Sequence, residues 1–162
     1  DSSTSRGLGD VYKRQAMTDA VAEQAAFSRK CAIIAAQAAD EKKATDIMVQ
    51  EVRELIGVTD YFVIATAANS RQVDAIIDEI EDELREKAGI KPSHREVSPD
   101  GSWSLLDYGN IVVHVFMPET REYYRLEALW NDAPTVDLAA EAGLSDLTYS
   151  DRIAKMLGKT PA

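Results

Sequence analysis

Two residues in one short stretch have side chains suited to chemistry: Asp107 in LLDYG and His114 in IVVHVF. A carboxylate at a strand end beside glycine can hold a metal ion or act as a base. An imidazole titrates near neutral pH and can move protons. Phosphoryl or nucleotidyl transfer asks for more, at least two carboxylates converging on metal ions. The nearest paired acids, Asp78/Glu79 and Glu81–Glu83, fall on the outer side of a predicted helix. Asp107 therefore has a plainer use, hydrogen bonding to the backbone of its own turn. His114 shares a strand face with Val112 and Phe116. That placement favours a satisfied histidine in or beside the core, then an interface role, with acid–base chemistry third. The sequence has no GxxxxGK[ST], GxGxxG or GxSxG motif, so neither common phosphate cradle nor a serine nucleophile elbow is expected. Its two histidines and single cysteine, Cys31, do not form a ligand-spaced zinc set. No catalytic, metal or cofactor residue is assigned.

The aromatic residues are more telling. Six of eleven lie between positions 103 and 130: Trp103, Tyr108, Phe116, Tyr123, Tyr124 and Trp130. Trp and Tyr offer large contact area with little entropy to lose, so such a cluster is core, binding hot spot, or both. A strand with one face inward and the other offering an apolar patch satisfies both readings.

These residues must be positioned by the elements around them. The opening Asp1–Ala16 is polar and lacks periodicity; it resembles a translated adapter, and the natural chain is expected to begin near Met17. Thr18 or Asp19 can cap a helix to about Ala44, with Phe27, Cys31, Ile34 and Ala38 as its apolar stripe. Cys31 on that stripe reads as a buried structural thiol. Asp46–Val52 and the apolar run Asp60–Thr66 predict strands, the second buried on both faces. Ser70 is expected to cap a helix to Ala88, where Val73, Ile76, Ile77, Ile80 and Leu84 recur at helical spacing and Gly89 stops it. A short strand is expected at His94–Val97. Trp103–Tyr108 and Asn110–Met117 read as one long strand kinked at Gly109, ended by Pro118. Glu119–Trp130 reads as one amphipathic helix with Tyr123, Leu126 and Trp130 on a common face, and a last helix is expected near Asp146–Leu157. Strands and helices in this order predict a mixed α/β domain, a small sheet flanked by helices. Residues 17–133 form that domain, and 134–162 a partly helical extension.

The chain has 162 residues and a formal net charge of -10. Most of that charge sits in the middle: residues 46–130 hold 17 acids against 8 bases, with a peak at Asp74–Lys87. Such acidity argues against gripping nucleic-acid phosphates. It fits either a solvated helix face or an acidic surface that meets a basic partner. No apolar run approaches the ~20 residues of a membrane span. One cysteine suits a reducing, cytoplasmic setting.

Three segments, DIMVQEV, TDYFVIATAANSRQVDAI and WSLLDYGNIVVHVFMPETREYYRLEALWNDA, closely resemble the ribosomal silencing factor family, also called Iojap-like. The resemblance runs from about Phe27 to Ala133. Its most specific parts are W-x-L-L-D-Y-G-x-I-V-V-H-x-F and the helix R-x-Y-Y-x-L-E-x-L-W. It implies a domain related in topology to nucleotidyltransferases but without their catalytic residues. Members bind the large ribosomal subunit through its ribosomal protein fourteen, on the face where the small subunit docks. They thereby block subunit joining and lower translation when nutrients are scarce, and they commonly form homodimers. By matching position, Trp103, Leu106, Tyr108 and Phe116 are placed at or near the partner surface. Asp107, Gly109, His114, Tyr124 and Trp130 belong to the same signature, as contacts or as supports. The resemblance implies no enzyme activity, no cofactor, no direct sequence-specific nucleic-acid binding and no membrane. Two other readings stay open: a divergent nucleotide-binding enzyme using Asp107 and His114, and a homodimeric interaction module with no ribosomal role.

Overall fold

The computed structural model describes residues 2–158, with side chains from Val11 onward. Asp1 and 159–162, the tips of the opening and closing segments set apart above, lie outside the described residues. Helix α1 spans Ser2–Glu41, so the expected helix continues back through the adapter-like stretch instead of starting at Thr18 or Asp19. Residues 11–24 of α1 are exposed, and cover begins at Ala25. Beyond that point the stripe behaves as expected: Cys31, Ile34 and Ala38 are buried and Phe27 packs against them. Burial pushes the Cys31 thiol up from its ordinary value, which leaves it protonated and inert.

The sheet contains β1 (Thr45–Glu51), β2 (Tyr61–Thr66), β3 (His94–Val97), β4 (Trp103–Asp107) and β5 (Ile111–Phe116), in the order β1-β2-β5-β4-β3. Only β2 and β5 run parallel; β1 with β2, β5 with β4 and β4 with β3 are antiparallel. The one-turn helix α2 (Arg53–Ile56) links β1 to β2. Helix α3 (Ser70–Ala88) follows β2 and buries the five apolar residues its spacing singled out. Its cap is Asn69, not Ser70: Asn69 Oδ1 accepts from the Gln72 N–H at 2.9 Å. Gly89 ends it with a φ of +68°, where a Cβ would be strained.

Two expected elements divide. The long strand kinked at Gly109 is a hairpin, β4–β5, with Tyr108 N–H donating to Ile111 O at 3.0 Å. Gly109, at φ +83°, and Asn110 form the two-residue loop, the residue order of a type II′ turn. The expected helix Glu119–Trp130 is two short helices, α4 (Pro118–Tyr124) and α5 (Leu126–Leu129). Arg125 between them takes a φ of +46° and its N–H closes α4 onto Arg121 O. Helix α6 (Leu138–Ala142) was not expected. The last helix, α7, is Asp151–Met156, shorter than the sequence suggests.

Two apolar cores lie on opposite faces of the sheet. Helices α1 and α3 cover one, meeting Val63, Ala65, Leu106, Ile111, Val113 and Val115. On the other, Met48, Ile64, Phe116 and Ile153 are buried, with Leu126, Tyr149, Met156 and Leu157 packed over them. The segment after Ala133 runs along the outer edge of β1. Val136 N–H donates to Val49 O, Glu51 N–H to Pro134 O, and Asp46 N–H to Thr148 O, at 2.8–3.0 Å. An open strand edge is a template for unwanted pairing, and here chain covers it.

Candidate partner-binding face

Strand alternation decides which signature residues can meet. Trp103 pairs with Phe116, Leu105 with His114 and Asp107 with Val112 across the hairpin. Side chains on one face recur every second residue, so Trp103, Leu105, His114 and Phe116 all face away from α1 and α3. Phe62 and Ile64 join them from β2, opposite Val112 and His114. Leu106 has the other parity. It is fully buried in the core beneath α3, which corrects its expected place at a partner surface. Tyr108 leans the same way and is half-buried against that core. Burial raises its phenol above the ordinary tyrosine value.

His114 is the centre of the other face. Its ring lies 5.2 Å from Phe62, 5.9 Å from Trp103 and 6.1 Å from Phe116, centroid to centroid. Trp103 Nε1–H donates to His114 Nδ1 at 3.2 Å. The neutral ring therefore carries its own proton on Nε2, which is buried without a hydrogen-bond partner among the described residues. Burial, the leading cause, pushes His114 down to about 4, so it stays neutral at physiological pH. The satisfied core histidine expected from sequence is thus satisfied at one nitrogen.

Trp103 lies over this group. Its ring is 4.8 Å from Phe116 and 4.9 Å from Tyr124, and Tyr123 meets Tyr124 edge-on at 5.0 Å. Phe116 is wholly buried below it, while Trp103 is partly exposed, Tyr124 51% exposed and Tyr123 81% exposed. Trp130 packs edge-on against Phe62, 6.3 Å between ring centroids. The break at Arg125 separates Trp130 and Leu126, which turn inward, from Tyr123, which does not. Trp103, Phe116, His114, Tyr124 and Trp130 are brought together; Leu106 and Tyr108 are not. Asp107 serves its turn, as expected, with Oδ1 accepting from Gly109 N–H at 2.8 Å.

Three charged residues lie under this face: Arg121 and Glu127, both letters of the motif R-x-Y-Y-x-L-E-x-L-W, and Arg152, which no motif singles out. Arg121 and Glu127 are buried, with Arg121 Nε 3.2 Å from Glu127 Oε2. Arg121 Nη1 donates to Asp46 O at 2.8 Å and to Thr66 Oγ1 at 2.9 Å. Arg152 of α7 reaches Glu127 Oε1 at 2.6 Å and Glu122 Oε2 at 2.8 Å. Burial pulls the Arg121 guanidinium below its ordinary value, and the Glu127 carboxylate opposes that shift. The pattern R-x-x-x-x-x-E across an expected helix reads as exposed charge; only the break at Arg125 turns Glu127 inward. Elsewhere, Glu41, Glu79 and Glu83 bring carboxylate oxygens within 4.8 Å of one another on the α1–α3 surface, beside Lys42.

What these elements define is a small mixed α/β domain with an aromatic face built round a buried histidine. Residues 25–156 match the family described as ribosomal silencing factor during starvation, and the chain belongs to that family. The match starts where α1 first becomes covered and runs past Ala133 into α7. The ribosomal silencing factor of Bacillus subtilis is 44% identical over 105 residues, 65% of this chain and 88% of that protein. The chloroplastic Iojap protein of Zea mays is 42% identical over 107 residues, 66% of this chain but 46% of that longer protein. Among solved structures, a protein of Chromobacterium violaceum superposes with a TM-score of 0.60 at 33% identity, covering 63% of this chain and 84% of that one. One from Bacillus halodurans gives 0.56 at 36% identity, covering 65% and 94%. Membership carries a ribosome-related role in translation regulation. Among the described residues no helix is long and apolar enough to cross a membrane.

Proposed function

We propose that the protein binds the large ribosomal subunit through ribosomal protein fourteen, on the face where the small subunit docks, and so represses translation when nutrients are scarce. The reading rests on family membership together with one observation, the uncovered aromatic patch of Trp103, Tyr123 and Tyr124. Inhibition then needs only occupancy. A folded domain on the docking face excludes the small subunit sterically, and the aromatic patch supplies short-range affinity. The name of a mouse relative, mitochondrial assembly of ribosomal large subunit protein 1, 32% identical over 123 residues, ties that protein to the same subunit. The homodimer implied by the resemblance belongs to this proposal.

Co-sedimentation with purified large subunits tests it. Trp103→Ala and Tyr124→Ala should each weaken binding by ~30-fold, the equivalent of truncating a hot spot worth about 2 kcal/mol. Trp103 also roofs Phe116, so Tyr124→Ala is the cleaner variant. If Tyr124→Ala bound as tightly as the parent and melted at the same temperature, the aromatic patch would not be the docking site.

A further inference from the structure

Beside the aromatic patch lies an open groove of about 540 Å³ between the turn after β3 and the start of α4. Trp103, Tyr123 and Tyr124 form its aromatic side, and Asp100 and Glu119 its acidic rim. None of its lining residues is Lys or Arg. The nearby arginines are engaged elsewhere: Arg121 is buried with Glu127, and Arg125 pairs with Glu122. Asp100 is fixed in place, since its Oδ1 accepts from Ser98 Oγ at 2.8 Å, Ser102 Oγ at 2.7 Å and Ser102 N–H at 3.1 Å. Those bonds, Ser102's hydroxyl first, hold its carboxyl below the usual range, so Asp100 stays ionised.

Aromatic faces carry a negative quadrupole and attract cations, most of all a planar guanidinium, which can stack and fork to a carboxylate together. A groove with aromatic walls, two carboxylates and no cation of its own is built for that shape. We infer that this groove receives an arginine side chain of the protein partner, stacked on Trp103 and Tyr124 and paired with Glu119. The inference rests on the proposed docking face and names the chemistry it reads. Lysine, a point charge that cannot stack, fits less well. A nucleic-acid strand would bring phosphates against Asp100 and Glu119, which disfavours it despite the stacking surface.

The test uses the full chain, labelled with nitrogen-15, and follows the two indole N–H signals, with Trp103→Phe assigning them. The probes are the blocked amino acids N-acetyl-arginine methylamide, its lysine counterpart and its uncharged citrulline counterpart. The arginine probe should shift the Trp103 indole signal and leave that of Trp130 in place, with a Kd of roughly 1–10 mM, typical of one exposed cation–π and ion-pair contact. Lysine should bind several-fold more weakly, and citrulline should leave the signal unmoved. Glu119→Gln, on the exposed first turn of α4, should weaken the arginine probe by about threefold or more. Equal shifts from arginine and citrulline, no shift from arginine, or a stronger shift from a uridine hexanucleotide would each overturn the inference. Those results leave large-subunit co-sedimentation to be decided on its own. Conversely, loss of the docking proposal with the arginine titration intact would leave a guanidinium-binding groove facing a different protein.

Discussion

His114 has an unusual position for a titratable residue: buried, neutral and holding the one tryptophan that faces the candidate partner. Its Nδ1 accepts a hydrogen bond from the Trp103 indole N–H, while its Nε2–H has no hydrogen-bond partner among the described residues. Protonation would turn that acceptor into a donor and set two N–H groups against each other. The value of about 4 in the folded state lies below the ordinary 6.5. Below pH 6.5 the unfolded chain therefore binds a proton that the native chain refuses. Native stability rises with pH between about 4 and 6.5, and falls as pH is lowered through that window. The size is of order 3 kcal/mol across the window. Urea unfolding at a series of pH values checks it by difference. In His114→Asn, the amide oxygen can take the place of Nδ1 and has no charge to acquire, so stability should be flatter between pH 6.5 and 4 than in the parent. His114→Phe also removes the charge but leaves the indole N–H of Trp103 without an acceptor, at a further cost of ~1–3 kcal/mol at neutral pH. Parallel pH slopes for parent and both variants would show that His114 does not resist protonation in the fold.

At the scale of elements, α4, α5 and α7 are short helices held together by charge. Seven, four and six residues are too few to be stable alone. Glu127 is the shared anchor, between Arg121 beneath it and Arg152 above. Removing one partner of a buried carboxylate leaves charge uncompensated, so Arg152→Leu should cost about 2 kcal/mol. In a Glu127→Gln background the same change should cost much less, and that coupling, of ~1–2 kcal/mol, is read from a double-mutant cycle in urea. Independent, additive costs would mean that Arg152 is a surface pair worth little. Much of the fold was legible in sequence because local rules dominate it. Periodicity marked α3, the apolar run marked β2, and Gly89 marked a helix end. The two elements that divide share one physical cause, a backbone at positive φ whose role depends on distant chain. Gly109 reads as a kink in sequence because strand partners are invisible to local pattern, and pairing of β4 with β5 makes it a turn. Arg125 has a side chain that ordinarily avoids φ +46°, so nothing local announced the break that buries Glu127. Matching position in the family motif groups Leu106 with Trp103, although strand parity separates residues three apart. Trp103, Phe116, His114, Tyr124 and Trp130 were legible as a group from motif and aromatic density. Their assembly round an imidazole was not.

At the scale of the whole molecule, the net charge of -10 and the candidate face have to be placed relative to each other. The sequence locates the acidic peak at Asp74–Lys87, which is α3. That helix lies on the opposite side of the sheet from Trp103, with Asp74, Asp82 and Glu86 exposed on its outer surface. A helix with its side chains is about 10 Å across, and the Debye length at physiological salt is about 8 Å. The acids of α3 are thus more than one screening length behind the face they were expected to serve. Part of their charge is already answered by Arg95, which pairs with Asp78 at 3.3 Å and Glu81 at 3.1 Å, and by Lys87, 2.6 Å from Glu83. Under the proposed docking, long-range steering of a basic partner falls instead to the few acids on the near side, Asp100 and Glu119 first. The prediction separates the two sets by rate. Combining Asp74→Asn, Asp82→Asn and Glu86→Gln removes three charges, yet should change the association rate with large subunits by less than about twofold at 0.15 M salt. Glu119→Gln removes one and should slow association by more than the triple variant does. Lowering salt tenfold extends the Debye length to about 25 Å, so the triple variant should then lose rate as well. Stopped-flow binding at both salt concentrations distinguishes this from a uniform acidic envelope, for which the triple variant would be the slower one throughout.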